Sequence, residues 1–212
     1  MSPSSRSQGR LAVAAPGKPT ASVGAAQPLA RSPTVLLLVD VVNPFDFPEA
    51  PRLEPAARTA ARAIARLKDR LARSGALTVD ANDNYGRWRS DFRDILDGCH
   101  RRGGTAAEIA RRLAPTEHDL VILKPRHSAF FATPLDLILG QVHARRLVIA
   151  GYAADICVQL TAMDASLRGF ELWVPGDCTA AESPREKAEA LDYMRRVLKA
   201  DTRTAARRRE LD

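Results

Sequence analysis

Short runs of uninterrupted apolar residues alternate along this chain with stretches whose apolar positions recur every three or four residues. Residues 35–39 (VLLLV) form a continuous apolar run that ends at Asp40, the pattern of a strand covered on both faces. Residues 54–74 carry Ala57, Ala61, Ile64, Leu67 and Leu71 at helical spacing and stop at Gly75. Runs at 77–81, 120–123, 147–150 and 171–174 predict four further strands. Helical patterns fall between and after them, at 105–113, 133–141, 156–168 and 183–199. Pro115 closes the first of these helices, Pro134 sits in the first turn of the second, and Ser183-Pro184 opens the last. Strands that alternate with helices predict an α/β fold, a three-layer α/β/α sandwich around a mostly parallel, doubly wound sheet.

Composition sets limits on this picture. At 212 residues one domain is expected, with ample chain for a core, and 45% apolar residues is ordinary. No apolar run reaches the ~18 residues needed to span a bilayer, so no membrane partner is expected. Residues 1–33 are rich in Ser, Pro, Gly, Ala and Arg and read as a disordered basic extension. The folded domain is expected over 34–200, with a basic tail over 201–212. The formal charge of +7 is concentrated in those ends: +4 in residues 1–34 and +4 in residues 195–212. Because the part between is nearly neutral, nucleic-acid recognition is not expected. The three cysteines, Cys99, Cys157 and Cys178, show neither a disulfide framework nor C-x-x-C spacing, which fits a reducing cytoplasm.

In an open parallel sheet, ligands bind beyond the carboxyl ends of the strands. Three reactive side chains fall at such ends: Asp40 after the first strand, Lys124 after the third, and Cys157 one turn after the fourth. Cys157 also begins a predicted helix, whose positive end favours thiolate. A thiol there would attack a carbonyl carbon, with Asp40 carrying the proton and Lys124 supplying charge. Each residue alone has a plainer reading: Cys157 as a small core group, Asp40 as a turn cap, Lys124 as a solvated lysine. Cys99 and Cys178 keep the plain reading, and Asp155 is taken as a helix cap. His127 lies in a loop and is not required as a base. His100, His118 and His143 lack ligand-like spacing.

The segments LLLVDVVNPF (36–45), LKPRHSAFFATPLD (123–136) and LVIAGYAADICVQLTAMDASLRGFELWVPGDCTAA (147–181) together resemble the isochorismatase-like cysteine hydrolases. The resemblance implies an Asp40–Lys124–Cys157 triad, a cis peptide between Tyr152 and Ala153, and an oxyanion hole from the N–H groups of Ala153 and Cys157. It implies cleavage of a C–N bond in a small amide or carbamoyl compound, no cofactor, and a homo-oligomer such as a dimer or tetramer. In this scheme Asp40 serves both the leaving amine and the later attack by water. Phe45, Trp88, Phe130 and Tyr152 lie in loops expected at the carboxyl edge and are candidate pocket walls, or equally core or subunit contacts. Arg87 and Arg89 flank Trp88 and are candidates to receive a substrate carboxylate.

Departures narrow the match. Metal-binding members of the family place D-x-H after the second strand. Here Asp83 matches the aspartate, but Tyr85 stands where the histidine would be, so no metal is expected and nicotinamide is a poor substrate candidate. Val42 replaces the family's usual glutamine. The competing reading is a catalytically silent binding or assembly protein on the same fold.

Overall fold

The computed structural model describes residues 28–89 and 91–207. The expected disordered extension lies outside these residues from 1 to 27, as does the end of the tail from 208 to 212. The described elements run β1 (Thr34–Val39), α1 (Ala50–Arg73), β2 (Leu77–Asp83), α2 (Phe92–Arg102), α3 (Gly104–Leu113), β3 (Leu120–Lys124), α4 (Leu135–Gln141), β4 (Arg146–Tyr152), α5 (Gln159–Leu167), β5 (Glu171–Trp173), β6 (Thr179–Ala180) and α6 (Pro184–Arg196). A π-helical turn (Ala154–Val158) joins β4 to α5.

All strand pairs are parallel, in the order β3-β2-β1-β4-β5, with the short β6 pairing to the end of β4. The chain moves outward from β1 to β3 and then returns to β4 on the other side of β1. That reversal opens a crevice at the carboxyl ends of β1 and β4, the place where α/β sheets bind ligands. The period-two alternation of the strands feeds two cores. Leu36, Leu38, Val148 and Ala150 pack with α1 and α3 on one face. Val35, Leu37, Leu147 and Ile149 pack with α4, α5 and α6 on the other.

At the crevice β1 and β4 approach closely. Gly151 stands opposite Val39 with φ +136°, and a Cβ there would lie 1.9 Å from the Val39 carbonyl oxygen. Only glycine meets both conditions.

Three expectations shift. The helix expected from residue 54 begins at Ala50, because Pro51 occupies the first turn, where a missing N–H has no helical partner to lose. Helix α2 has no counterpart in the sequence reading. Asp91 caps it, accepting from the N–H groups of Arg93 and Asp94, while the Asp94 side chain accepts from Asp91 N–H. Asp91→Ala is expected to lower stability by about 1 kcal/mol, read as a fall of about 2–4 °C in Tm.

The third shift concerns the ends of the domain. Residues 201–207, expected in the basic tail, are docked on the domain. Val174 N–H donates to Asp201 O at 2.8 Å, and Asp201 N–H donates to Leu172 O at 2.9 Å. The Trp173 indole N–H donates to Arg203 O, and Ala205 N–H donates to the Asp177 carboxylate. An open sheet edge and a buried indole both require partners, and this segment supplies them. At the other end Ser32, expected in the extension, is buried, and its hydroxyl accepts from Leu77 N–H at 2.8 Å.

Candidate active site

Asp40 follows β1 in a left-handed conformation, φ +53°. This turns its carboxylate across the strand ends. One oxygen, Oδ1, accepts from the backbone N–H of Asp83 at the end of β2, at 2.7 Å. The other, Oδ2, lies 2.8 Å from Lys124 Nζ. Lys124 ends β3, and its side chain has no exposed surface. Its ammonium also donates to Arg126 O at 3.2 Å and lies 3.5 Å from Asp83 Oδ2 and 3.7 Å from Cys157 Sγ. Cys157 sits in the π-helical turn after β4 and is half-buried. Residues from the ends of three strands and from the turn after β4 therefore meet at the crevice, although 117 positions separate the first from the last.

Electrostatics of the group follow from burial. Desolvation pushes Asp40 above the usual carboxylate range, against the opposing pull of Lys124. For Lys124, burial alone would lower the ammonium, but the charges of Asp40 and Cys157 outweigh it and hold it above its ordinary value. Burial and the neighbouring Asp40 raise the Cys157 thiol far more than Lys124 lowers it. The expected thiolate is therefore corrected. Desolvation and the neighbouring carboxylate outweigh Lys124 and the helix dipole and push the thiol up. A carboxylate with raised proton affinity is the better base toward that thiol.

The bond between Tyr152 and Ala153 is cis. Ala153 is extended, with φ −74° and ψ 147°, immediately before the turn that carries Cys157. The first N–H groups of a helix lack intrahelical acceptors and point toward its entrance. Asp155, expected as a helix cap, makes no side-chain cap bond here.

A cleft of about 540 Å³ opens beside the triad, lined by residues of the loops after β2 and β3. Of the expected walls only Trp88 lines it, and Trp88 is 79% exposed. Phe45 is buried in the α1 core. Tyr152 lies in the same core, with its hydroxyl donating to Ala57 O at 3.1 Å. Phe130 is buried in the opposite core, stacked on Phe170 with Arg168 over its ring. Tyr85, Arg126, His127 and Phe131 line the cleft instead. Arg126 rather than Arg87 or Arg89 is the guanidinium along this wall. The sequence reading set His127 aside as a base and took Asp83 only as the match to a metal-ligand position, yet these two are direct neighbours of the sulfur and the carboxylate. His127 Nδ1 is 3.7 Å from Cys157 Sγ, and the Asp83 N–H orients Asp40. Their position in the two strand-end loops was the available signal.

The isochorismatase domain pattern matches residues 34–206. The chain belongs to the isochorismatase family. It is 32% identical to the uncharacterized isochorismatase family protein YaaI of Bacillus subtilis over 176 residues, 83% of this chain and 96% of that protein. A shorter match, 44% identical over 83 residues, is to ureidoacrylate amidohydrolase RutB of Klebsiella pneumoniae, covering 39% of this chain and 35% of the relative. Among solved structures, N-carbamoylsarcosine amidase from Thermoplasma acidophilum superposes with a TM-score of 0.65 at 28% identity, covering 84% of this chain and 99% of that one. This isochorismatase-family chain has no metal-ligand set in the described residues: no group of three His, Cys, Asp or Glu side chains is placed to hold an ion. Asp83, the residue matching a ligand in metal-binding members, is already engaged by Lys124 and by Tyr85 N–H at 2.6 Å.

Proposed function

We propose that this protein hydrolyses a C–N bond of a small amide or carbamoyl compound through a thioester on Cys157. The observation that carries the reading is the single cluster of Asp40, Lys124 and Cys157, whose neighbours Asp83 and His127 line a cleft. Asp40 takes the thiol proton as Cys157 Sγ attacks the substrate carbonyl carbon. The N–H groups of Ala153 and Cys157 receive the tetrahedral oxyanion. Lys124 offsets the negative charge that would otherwise rest on Asp40 and the sulfur together. The intermediate collapses with loss of ammonia or an amine, which takes the proton from Asp40, and the acyl group remains on sulfur. Water then releases it as the acid. The chemistry uses side chains and backbone of this chain and calls for no organic cofactor.

The relatives with named activities, an amidase of N-carbamoylsarcosine and an amidohydrolase of ureidoacrylate, support this substrate class. The same reading takes the protein as a cytoplasmic homo-oligomer, dimer or tetramer. Exposed Leu137, Leu160 and Leu167 are candidates for the subunit contact, and sedimentation equilibrium reads the mass.

The chemical test uses p-nitrophenyl acetate as an activated acyl donor. The wild-type protein is expected to release a stoichiometric burst of p-nitrophenolate and to carry an acetyl group on the peptide containing Cys157. Cys157→Ala is expected to show neither. Equal labelling of both proteins would overturn the nucleophile. No release of ammonia by the wild type from a broad panel of amides and carbamoyl compounds would overturn the reaction and favour the silent binding protein.

A further inference from the structure

The triad has two proton transfers to manage, and its base is placed for only one of them. Asp40 is buried, with one oxygen held by Asp83 N–H and the other by Lys124. The same carboxylate is the hydrogen-bond neighbour of the Cys157 thiol. Water that hydrolyses a thioester must come from the cleft, on the solvent side. The group that stands there is His127, exposed, lining the cleft, with Nδ1 at 3.7 Å from Cys157 Sγ.

His127 is also held in place. Lys124 Nζ donates to Arg126 O just before it. Just after it, the Ser128 hydroxyl donates to the Asp164 carboxylate, and Ala129 N–H donates to Thr161 Oγ1 at 3.0 Å. Asp164 and Thr161 belong to α5, which continues the turn that carries Cys157. The loop bearing the imidazole and the turn bearing the sulfur are therefore tied to one rigid element, the condition for a group that must meet its target in a fixed geometry.

We infer that His127 is a second catalytic base, which activates water for hydrolysis of the thioester. This rests on the proposed Cys157 mechanism and divides its labour: Asp40 serves acylation and His127 serves deacylation. In the acyl-enzyme the sulfur carries no proton. An imidazole protonated on Nε2 presents its Nδ1 lone pair to a water in the cleft. His127 takes one proton of that water as its oxygen bonds to the acyl carbon. The tetrahedral intermediate then breaks its C–S bond, and the departing sulfur receives the proton held on His127. The products are the free acid, the thiol of Cys157 and neutral imidazole, so the cycle closes without an added reagent.

The test separates the two half-reactions with p-nitrophenyl acetate, whose phenolate leaves without needing a proton. His127→Ala is expected to keep the burst of p-nitrophenolate, which also reports a folded protein with an active sulfur. Its steady-state rate is expected to fall roughly 10²-fold or more, the scale of general-base catalysis. Acetyl-enzyme should accumulate in the intact mass, and added imidazole, admitted by the cleft, should restore turnover. His127→Gln should keep the burst with the same slow turnover. An unchanged steady-state rate in His127→Ala, a parallel loss of burst and turnover, or no recovery with imidazole overturns the assignment. Loss of the burst in Cys157→Ala is a separate readout. If that variant keeps its burst, the nucleophile itself is wrong; if only the His127 variants behave as wild type, the triad stands and this inference fails.

Discussion

Lys124→Met is expected to reduce turnover on the order of 10⁴-fold, the scale on which members of a nucleophilic triad act. It is also expected to destabilise the fold by about 3–5 kcal/mol at neutral pH. Both effects have one origin. Lys124 has no exposed side-chain surface and is the cation 2.8 Å from Asp40 and 3.5 Å from Asp83. Methionine fills a similar volume but leaves Asp40 a buried carboxylate without its counter-ion. Desolvation already pushes Asp40 up and Lys124 opposes it, so losing the lysine drives the carboxyl further toward its neutral form. The sign with pH follows. A carboxyl whose folded pKa is raised costs stability as pH climbs from the ordinary carboxylate range through the raised value. The variant should therefore recover stability in acid relative to neutral pH. Combining Lys124→Met with Asp40→Asn removes both charges and should regain much of the lost stability, while activity stays low because the base is gone. Chemical denaturation of the wild type and the two variants at pH 5 and 8 reads the stability side. If the single and double variants are equally unstable, the ion pair is not what holds this edge of the sheet together.

The Asp40–Lys124–Cys157 cluster was legible in the chain because each member sits at, or one turn past, the end of a strong strand signal. Parallel topology sends all such ends to one rim. The pocket walls were not legible by the same rule. Phe45 and Phe130 lie in strand-end loops as expected, but which way a loop side chain faces is set by local backbone. Phe45 adopts φ +51° and is buried in the α1 core. Phe130 is buried in the other core while its neighbour Phe131 takes the cleft. Tyr152 ends β4 on the α1 face, where its hydroxyl finds a helix carbonyl. Helix α2 escaped notice because its apolar face is thin, with Ile95 and Cys99 its buried residues among many charges. The docking of 201–207 answers a need of β5 and Trp173 that exists only once the sheet has formed. The upward push on the Cys157 thiol is the same lesson in electrostatics. The helix-start rule is local, and the burial that overrides it is tertiary.

Asp80→Asn is expected to stabilise the protein at pH 8 by a few kcal/mol and to flatten its stability between pH 5 and 8. Asp80 stands in the middle of β2, opposite Leu38 and Val121, and is fully buried. Neither of its carboxyl oxygens has a hydrogen-bond partner among the described residues. The nearest opposite charge, Lys68, is already paired with Asp119 at 2.8 Å. Burial therefore dominates and lifts Asp80 from the ordinary 3.8 to about 7, with Lys68 pulling it down and Asp119 pushing it up. The folded protein thus keeps this proton over a range in which the unfolded chain has released it. Stability is unaffected by the group below the unfolded value, falls as pH rises toward about 7, and levels off above it. The full cost at pH 8 is roughly 4 kcal/mol at 1.36 kcal/mol per pKa unit. Asparagine keeps the shape and removes the ionisation, although its amide gains no partner and gives part of this back. The net gain should appear as a rise of roughly 5–10 °C in Tm at pH 8, with a much smaller difference at pH 5. Calorimetry at the two pH values reads it, and parallel pH profiles for wild type and variant would show that Asp80 ionises in the fold without penalty. The substitution lies inside the sheet and outside the triad, so the acetyl burst on Cys157 should persist in the stabilised variant.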